Sequence, residues 1–389
     1  MKKRNISKLM AVMLAFVLAF SSFTVFGFSA SDEDGFKNVI VLIGDGMGEN
    51  HLNWTKAERN VDLVMESLPY RGQSRTNSLS GTTDSAAGGT ALSSGLLTNN
   101  SNVGTFSGEI GDYNFIISTY MNTCEIAKSL GKKAGVLTSD VNSGATPATF
   151  SAHTTARGNT EDITNQQLKG NLDLLWAVNN GLLNEQNITE NGWNYVDDTD
   201  DIDTLSADDR SFGAFKGPLC YDNGSDSYIP LSELTTKAIE LLDNDKGFFL
   251  MVEGAHIDKG SHNNNKDAMM NALVEFDKAV ANALTFAKKD GNTLIIVTAD
   301  HETGGITLNE ETGKYEFTKD GHSNANVPLL VYGSDALVKD GKSVKNKEIS
   351  RFTAKALGYT ARYPVFTVNP AVLSDFFKAL FGAIGGLFK

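Results

Sequence analysis

The chain of 389 residues has only two cysteines, Cys124 and Cys220. They allow one disulfide at most, which nothing in the sequence indicates, and their spacing excludes a cysteine zinc site. No cysteine lies near the end of the N-terminal apolar segment, which argues against a lipid-modified terminus. Cations are scarce as well. The 34 Lys and Arg residues face 47 Asp and Glu, for a formal charge of -13, so nucleic acid is a poor partner. No internal repeat divides the chain.

Residues 1–30 read as a secretory signal. Lys2, Lys3, Arg4 and Lys8 precede an unbroken apolar run from Leu9 to Phe20, and the small residues Gly27, Ser29 and Ala30 follow. An uncleaved anchor is the alternative. The expected location is outside the cytoplasm: extracellular, periplasmic or on the cell surface. Residues 31–370 read as one catalytic domain. Residues 371–389 form an apolar tail with two cations, suited to packing on that domain or to peripheral contact with a membrane surface.

Asn38 to Ile43, Ala134 to Thr138, Phe248 to Val252 and Thr293 to Thr298 are short, continuous apolar runs separated by helical stretches. Strands buried on both faces of a parallel sheet have this composition. Between Asp267 and Lys289, residues such as Met269, Leu273, Phe276, Val280 and Leu284 recur at helical spacing and predict a core-facing helix. The expected fold is therefore α/β, a doubly wound and mostly parallel sheet with helices on both faces. The acidic run Asp197 to Asp203 lacks the glycine and terminal glutamate of a calcium loop and predicts a solvated surface loop.

In such a sheet ligands bind beyond the carboxyl ends of the strands, and Asp45, Glu253 and Asp300 each follow an apolar run by one or two residues. Asp258 and His262 are four apart, so a helix would turn both to one side. His322 could complete a nitrogen and oxygen site with that pair, suited to zinc. Asp45, Asp300 and His301 could hold a second ion. Thr146 and Glu253, with Asp45 bridging, offer oxygen only and suit magnesium. Ser85, opening the small-residue segment Ser85 to Ser94, is placed for a helix N-terminus, where dipole and metal would favour its alkoxide. Arg157 could hold phosphoryl oxygens in a fork. His153, four before Arg157, is expected on the same helical face, supporting the phosphate-binding residues from behind. His51 is read as a solvated or capping residue and His256 as hydrogen-bonded near the site.

The ordered set of motifs resembles the alkaline phosphatase family. It comprises Val41-Leu42-Ile43-Gly44-Asp45-Gly46-Met47-Gly48, Thr83-Asp84-Ser85-Ala86-Ala87, Ala145-Thr146-Pro147-Ala148 with His153 and Arg157, Val252-Glu253-Gly254-Ala255 with Asp258 and His262, and Thr298-Ala299-Asp300-His301. The resemblance implies hydrolysis of small phosphate monoesters through a phosphoserine at Ser85. It implies one zinc on Asp258, His262 and His322, a second on Asp45, Asp300 and His301, and magnesium on Asp45, Thr146 and Glu253. Arg157 would bind phosphate, Asp84 would help orient it, and Lys259 would approach it through water. A homodimer is carried over only as a family tendency.

One position departs from the family pattern. Gly144 stands where the family commonly places Asp or His beside the magnesium site, so the third ion is expected to exchange readily, and Gly144→Asp to tighten it if the local backbone tolerates a side chain. Two other readings remain: a phosphodiesterase or phosphomutase of the same superfamily, and a phosphate- or metal-binding protein without catalysis. Arg157 with the third-metal residues disfavours the first, and intact Ser85, Arg157 and both zinc sets disfavour the second.

Overall fold

In the computed structural model, residues 35–110, 113–217, 219, 229–339 and 343–367 are described. The signal reading of 1–30, the tail 371–389 and Cys220 lie outside them. Contacts separate Met1–Asp34 from Gly35–Lys389, and the described residues all fall in the second unit. No helix among them is long and apolar enough to cross a membrane.

The principal sheet has ten strands. Across it lie Val344–Lys345, Tyr70–Arg75, Val327–Tyr332, Thr293–Thr298, Asn38–Gly44, Phe248–Gly254, Lys133–Val141, Leu174–Val178, Ser211–Phe215 and Asn194–Val196. Every adjacent pair is parallel except the two made by Val327–Tyr332, which runs against both neighbours. The expected doubly wound α/β architecture is the observed one.

The first strand shows why its composition is so apolar. Ile40 and Leu42 enter one hydrophobic cluster, while Val39, Val41 and Ile43 enter the other, on the opposite face. Alternate residues point to opposite faces, so a strand covered on both sides has no polar side to offer. The predicted helix is Lys266–Asp290, and its Met269, Leu273, Phe276 and Val280 join the first cluster. Asn346–Ala356 covers the other face through Ile349 and Ala354. Each fully buried Val, Leu, Ile, Phe or Met side chain among them contributes about 1.5–3 kcal/mol relative to exposure.

The first strand pairs in parallel with Thr293–Thr298 on one side and Phe248–Gly254 on the other. Chain connections must diverge there, opening a crevice beyond the strand ends. Asp45, Asp300 and Glu253 stand at the ends of these three neighbouring strands, which is how residues far apart in sequence come together.

The acidic run departs from expectation. Thr199–Asp203 is a short helix, with Asp198 Oδ1 accepting from the Asp201 amide as its cap. An Asp at that position satisfies an N–H that the helix leaves open, which favours helix over loop. Asp197 is paired with Lys216.

Candidate active site

Ser85 is the first residue of the helix Ser85–Ser94, as its small-residue setting predicted. Asp84 caps that helix: its Oδ1 accepts from the Ala87 amide at 2.9 Å. Its Oδ2 accepts from the Ser101 amide at 2.9 Å and meets Arg157 Nη1 at 3.4 Å. One carboxylate thus fixes the start of the serine helix and turns the guanidinium toward it. The helix also lies unusually close to its neighbours. A Cβ on Gly88 would sit 2.9 Å from the Asp300 carbonyl oxygen, so only glycine lets the helix approach the Asp300 turn.

His301 is fully buried, and its Nε2 lies 3.2 Å from Ser85 Oγ, 3.2 Å from Asp300 Oδ2 and 3.5 Å from Asp45 Oδ1. Its tautomer follows from the network. Thr303 Oγ1 gives its one proton to Asp258 Oδ1 and therefore accepts from His301 Nδ1 at 3.2 Å. Nε2 then carries a lone pair facing two carboxylates. Burial, with His322 second, pushes the His301 pKa down to about 3, so the ring stays neutral. Asp300 Oδ1 accepts from the amides of Gly46 and His301, but Asp300 Oδ2 and Asp45 Oδ1 have no hydrogen-bond partner although buried. Lone pairs crowded this way, unsatisfied and water-excluded, are the donor set of a cation. Burial foremost, and then Asp300, Asp258 and Glu253, raises the Asp45 carboxyl well above the usual range.

Asp258 and His262 lie on the helix His256–His262 as their spacing required, with Nε2 of the histidine 3.4 Å from Oδ1 of the aspartate. His322 reaches the same place from a two-residue ladder in which it pairs with Thr303. Its Nε2 is 3.1 Å from His262 Nε2 and 3.8 Å from Asp258 Oδ1, and its ring stacks on His301 with centroids 3.6 Å apart. Both Nδ1 atoms rest on backbone carbonyls, of Asp320 for His262 and Thr83 for His322. The two Nε2 atoms therefore meet lone pair to lone pair, again fitting a cation. Gly46 permits this closeness: at φ 70° its Cβ would stand 2.8 Å from both Asp258 Oδ1 and Thr303 Oγ1.

The third set is oxygen only. Glu253 is buried, and burial, followed by the charge of Asp140, pushes its pKa up to about 8. Thr146, in the short helix Ala145–Thr149, has a buried hydroxyl with no hydrogen-bond partner. Lys259 Nζ does not stand free; it donates to Asp140 Oδ1.

The sequence model of the alkaline phosphatase family matches residues 36–175 and 171–362. The chain belongs to the alkaline phosphatase family. It is 35% identical over 309 residues to alkaline phosphatase 4 of Bacillus subtilis, a stretch covering 71% of this chain and 64% of that protein. To the alkaline phosphatase of Escherichia coli it is 29% identical over 424 residues, covering 89% and 87%. Among solved structures, the alkaline phosphatase of the Antarctic bacterium TAB5 superposes with a TM-score of 0.71 at 30% identity, covering 84% of this chain and 99% of that one.

Two expectations need correction, and the alternatives for His51 are decided. Residues 151–158 are not helical, so His153 and Arg157 share no helical face. His153 instead bridges the Gly104 carbonyl and Glu125 Oε1. Its two ring nitrogens are thereby committed, one to the segment carrying Gly104 and the other to the helix Thr123–Ser129. His51 is a capping residue but not a solvated one: fully buried, it accepts from the Gly48 amide and meets Ser261 Oγ. Gly144 also leaves no open space, since a Cβ there would overlap Asp140 Oδ2 and lie 2.9 Å from Asp140 Cγ. His256 is hydrogen-bonded to Ser139 Oγ as expected.

Sequence reasoning missed Thr303 and Asp140. Nothing in the turn after Asp300 marks a threonine hydroxyl as the link between two ligand sets. Asp140 did carry a signal, because it follows the apolar run Ala134 to Thr138 by two residues, as the chosen carboxylates follow theirs.

Proposed function

We propose that the chain is an exported, metal-dependent alkaline phosphatase that hydrolyses small phosphate monoesters, with its catalytic domain spanning 31–370 behind a leader of 1–30. The observation that carries this is Ser85 Oγ, at a helix N-terminus and 3.2 Å from a neutral His301 Nε2 that faces two unsatisfied carboxylate oxygens. Asp258, His262 and His322 would hold one zinc, and Asp45, Asp300 and His301 the other. Asp45, Thr146 and Glu253 would hold magnesium.

When bound, two such ions would stabilise the entering and leaving oxygens of an in-line phosphoryl transfer. Ser85 Oγ gives up its proton and forms the new bond to phosphorus, and the bond from phosphorus to the ester oxygen breaks, that oxygen taking up a proton and leaving as the alcohol. Water then cleaves the phosphoserine, returning the serine hydroxyl and inorganic phosphate. Arg157, aimed by Asp84, holds non-reacting phosphoryl oxygens, and the helix N-terminus favours the negative charge that develops beside Ser85. A monoester offers Arg157 one more anionic oxygen than a diester does, which favours a monoesterase over the phosphodiesterase reading.

The test compares hydrolysis of p-nitrophenyl phosphate with that of bis(p-nitrophenyl) phosphate on a sample whose zinc and magnesium contents are measured. A strong monoester preference that chelation abolishes is expected. Faster diester cleavage, or an undiminished rate without metal, would overturn the reading.

A further inference from the structure

Asp140 is the penultimate residue of the strand Lys133–Val141, and that strand is aligned so that Thr138 stands opposite Glu253. Thr138 Oγ1 donates to Glu253 Oε2 and accepts from the Asp140 amide at 2.8 Å. The hydroxyl therefore ties the backbone of Asp140 to a proposed ligand of the third ion. Asp140 Oδ1 accepts from Lys259 Nζ, and Lys259 follows the ligand Asp258 directly. Asp140 Oδ2 occupies the volume that a side chain on Gly144 would need. The glycine is thus not a gap. It is the condition for a carboxylate to enter the same volume from a position four residues earlier.

We propose that Asp140 is a positioning residue of the third cation site, supplying from the end of its strand the carboxylate that Gly144 lacks. It acts beside Asp45, Thr146 and Glu253 and holds Lys259 at the same place. This rests on the reading of those three residues as a magnesium site. Magnesium keeps several of its waters, and carboxylates next to the ligands hold those waters and add attraction for the ion. The buried Thr146 hydroxyl without a partner supports a cation there independently of Asp140.

The experiment measures magnesium affinity calorimetrically on the zinc-loaded enzyme. Asp140→Ala should weaken binding by ~10–100-fold, the usual effect of losing such a partner. Gly144→Asp alone should weaken magnesium binding and lower Tm, because its Cβ overlaps Asp140. The double variant Asp140→Ala with Gly144→Asp should recover part of the affinity, since the new carboxylate then takes the vacated volume while its Cβ still meets the Val141 carbonyl, at 3.0 Å. Asp140→Asn, which keeps the shape and removes the charge, supplies the same comparison if the alanine variant fails to fold.

Wild-type affinity in the variant that removes the Asp140 charge, or a Gly144→Asp single variant that binds more tightly than wild type, would overturn the proposal. So would a double variant no tighter than Asp140→Ala. Glu253→Gln separates the two levels. If it binds magnesium as wild type does, the third-site reading itself fails; if it loses binding while Asp140→Asn does not, only the role of Asp140 fails.

Discussion

His262 Nε2 and His322 Nε2 face each other at 3.1 Å, each with its Nδ1 turned to a backbone carbonyl. With each Nδ1 turned to a carbonyl, the two Nε2 lone pairs oppose each other unless a cation lies between them, so the backbone that orients the rings also prepares them to bind. His262→Ala or His322→Ala is predicted to lose one zinc per chain while keeping the fold, because neither side chain belongs to the hydrophobic clusters. Elemental analysis alongside circular dichroism checks this. Two zinc ions retained in either variant would contradict it.

Thr303 links the two proposed zinc sets through a single hydroxyl, donating to Asp258 and accepting from His301 Nδ1. Thr303→Val has nearly the same shape and can do neither. It is predicted to weaken zinc binding by ~10–100-fold, with Thr303→Ser close to wild type. Competition against a chelator measures this, and a valine variant that holds zinc as wild type does would refute it.

The central strands and the long helix were legible in the sequence because both are governed by periodicity. Thr293–Thr298 was found to the residue, and Asp267 to Lys289 fell one residue short at each end of Lys266–Asp290. The carboxylates after the strands were legible for the same reason, since a doubly wound sheet directs strand ends to one edge. The reversed strand Val327–Tyr332 was not found, because direction is set by partners and leaves little trace in composition. The face shared by His153 and Arg157 was inferred from their four-residue spacing alone, and residues 151–158 are not helical. Asp140 was not legible because spacing from Thr146 points to Gly144, whereas the volume beside that glycine is filled by a side chain four residues earlier.

His51 gives a pH dependence with a definite sign. Burial pushes its pKa down from 6.5 to about 3, and Nδ1 accepts from the Gly48 amide, so the folded state holds it neutral. Between those values the unfolded chain binds more protons at this residue than the folded one. Its contribution is fully present above pH 6.5 and is lost as pH falls from there toward 3, at about 1.4 kcal/mol per pH unit. His51→Gln keeps an acceptor and a donor without titrating. Urea midpoints between pH 4 and 6 should therefore fall less steeply for the variant than for wild type, and equal slopes would contradict the account.

The central claim is that Ser85 carries the phosphoryl group. Ser85 is set apart from other buried serines by its helix N-terminus, by His301 Nε2 at 3.2 Å and by an arginine turned toward it through Asp84. The decisive measurement is acid quenching of the zinc-loaded enzyme during turnover of a labelled phosphate monoester, followed by peptide mapping. The account predicts phosphate on Ser85 in wild type, none in Ser85→Ala, and a rate in that variant lower by at least ~10²-fold, the scale of one positioned catalytic group. Phosphate trapped on another residue, or a Ser85→Ala variant that turns over as wild type does, would contradict it.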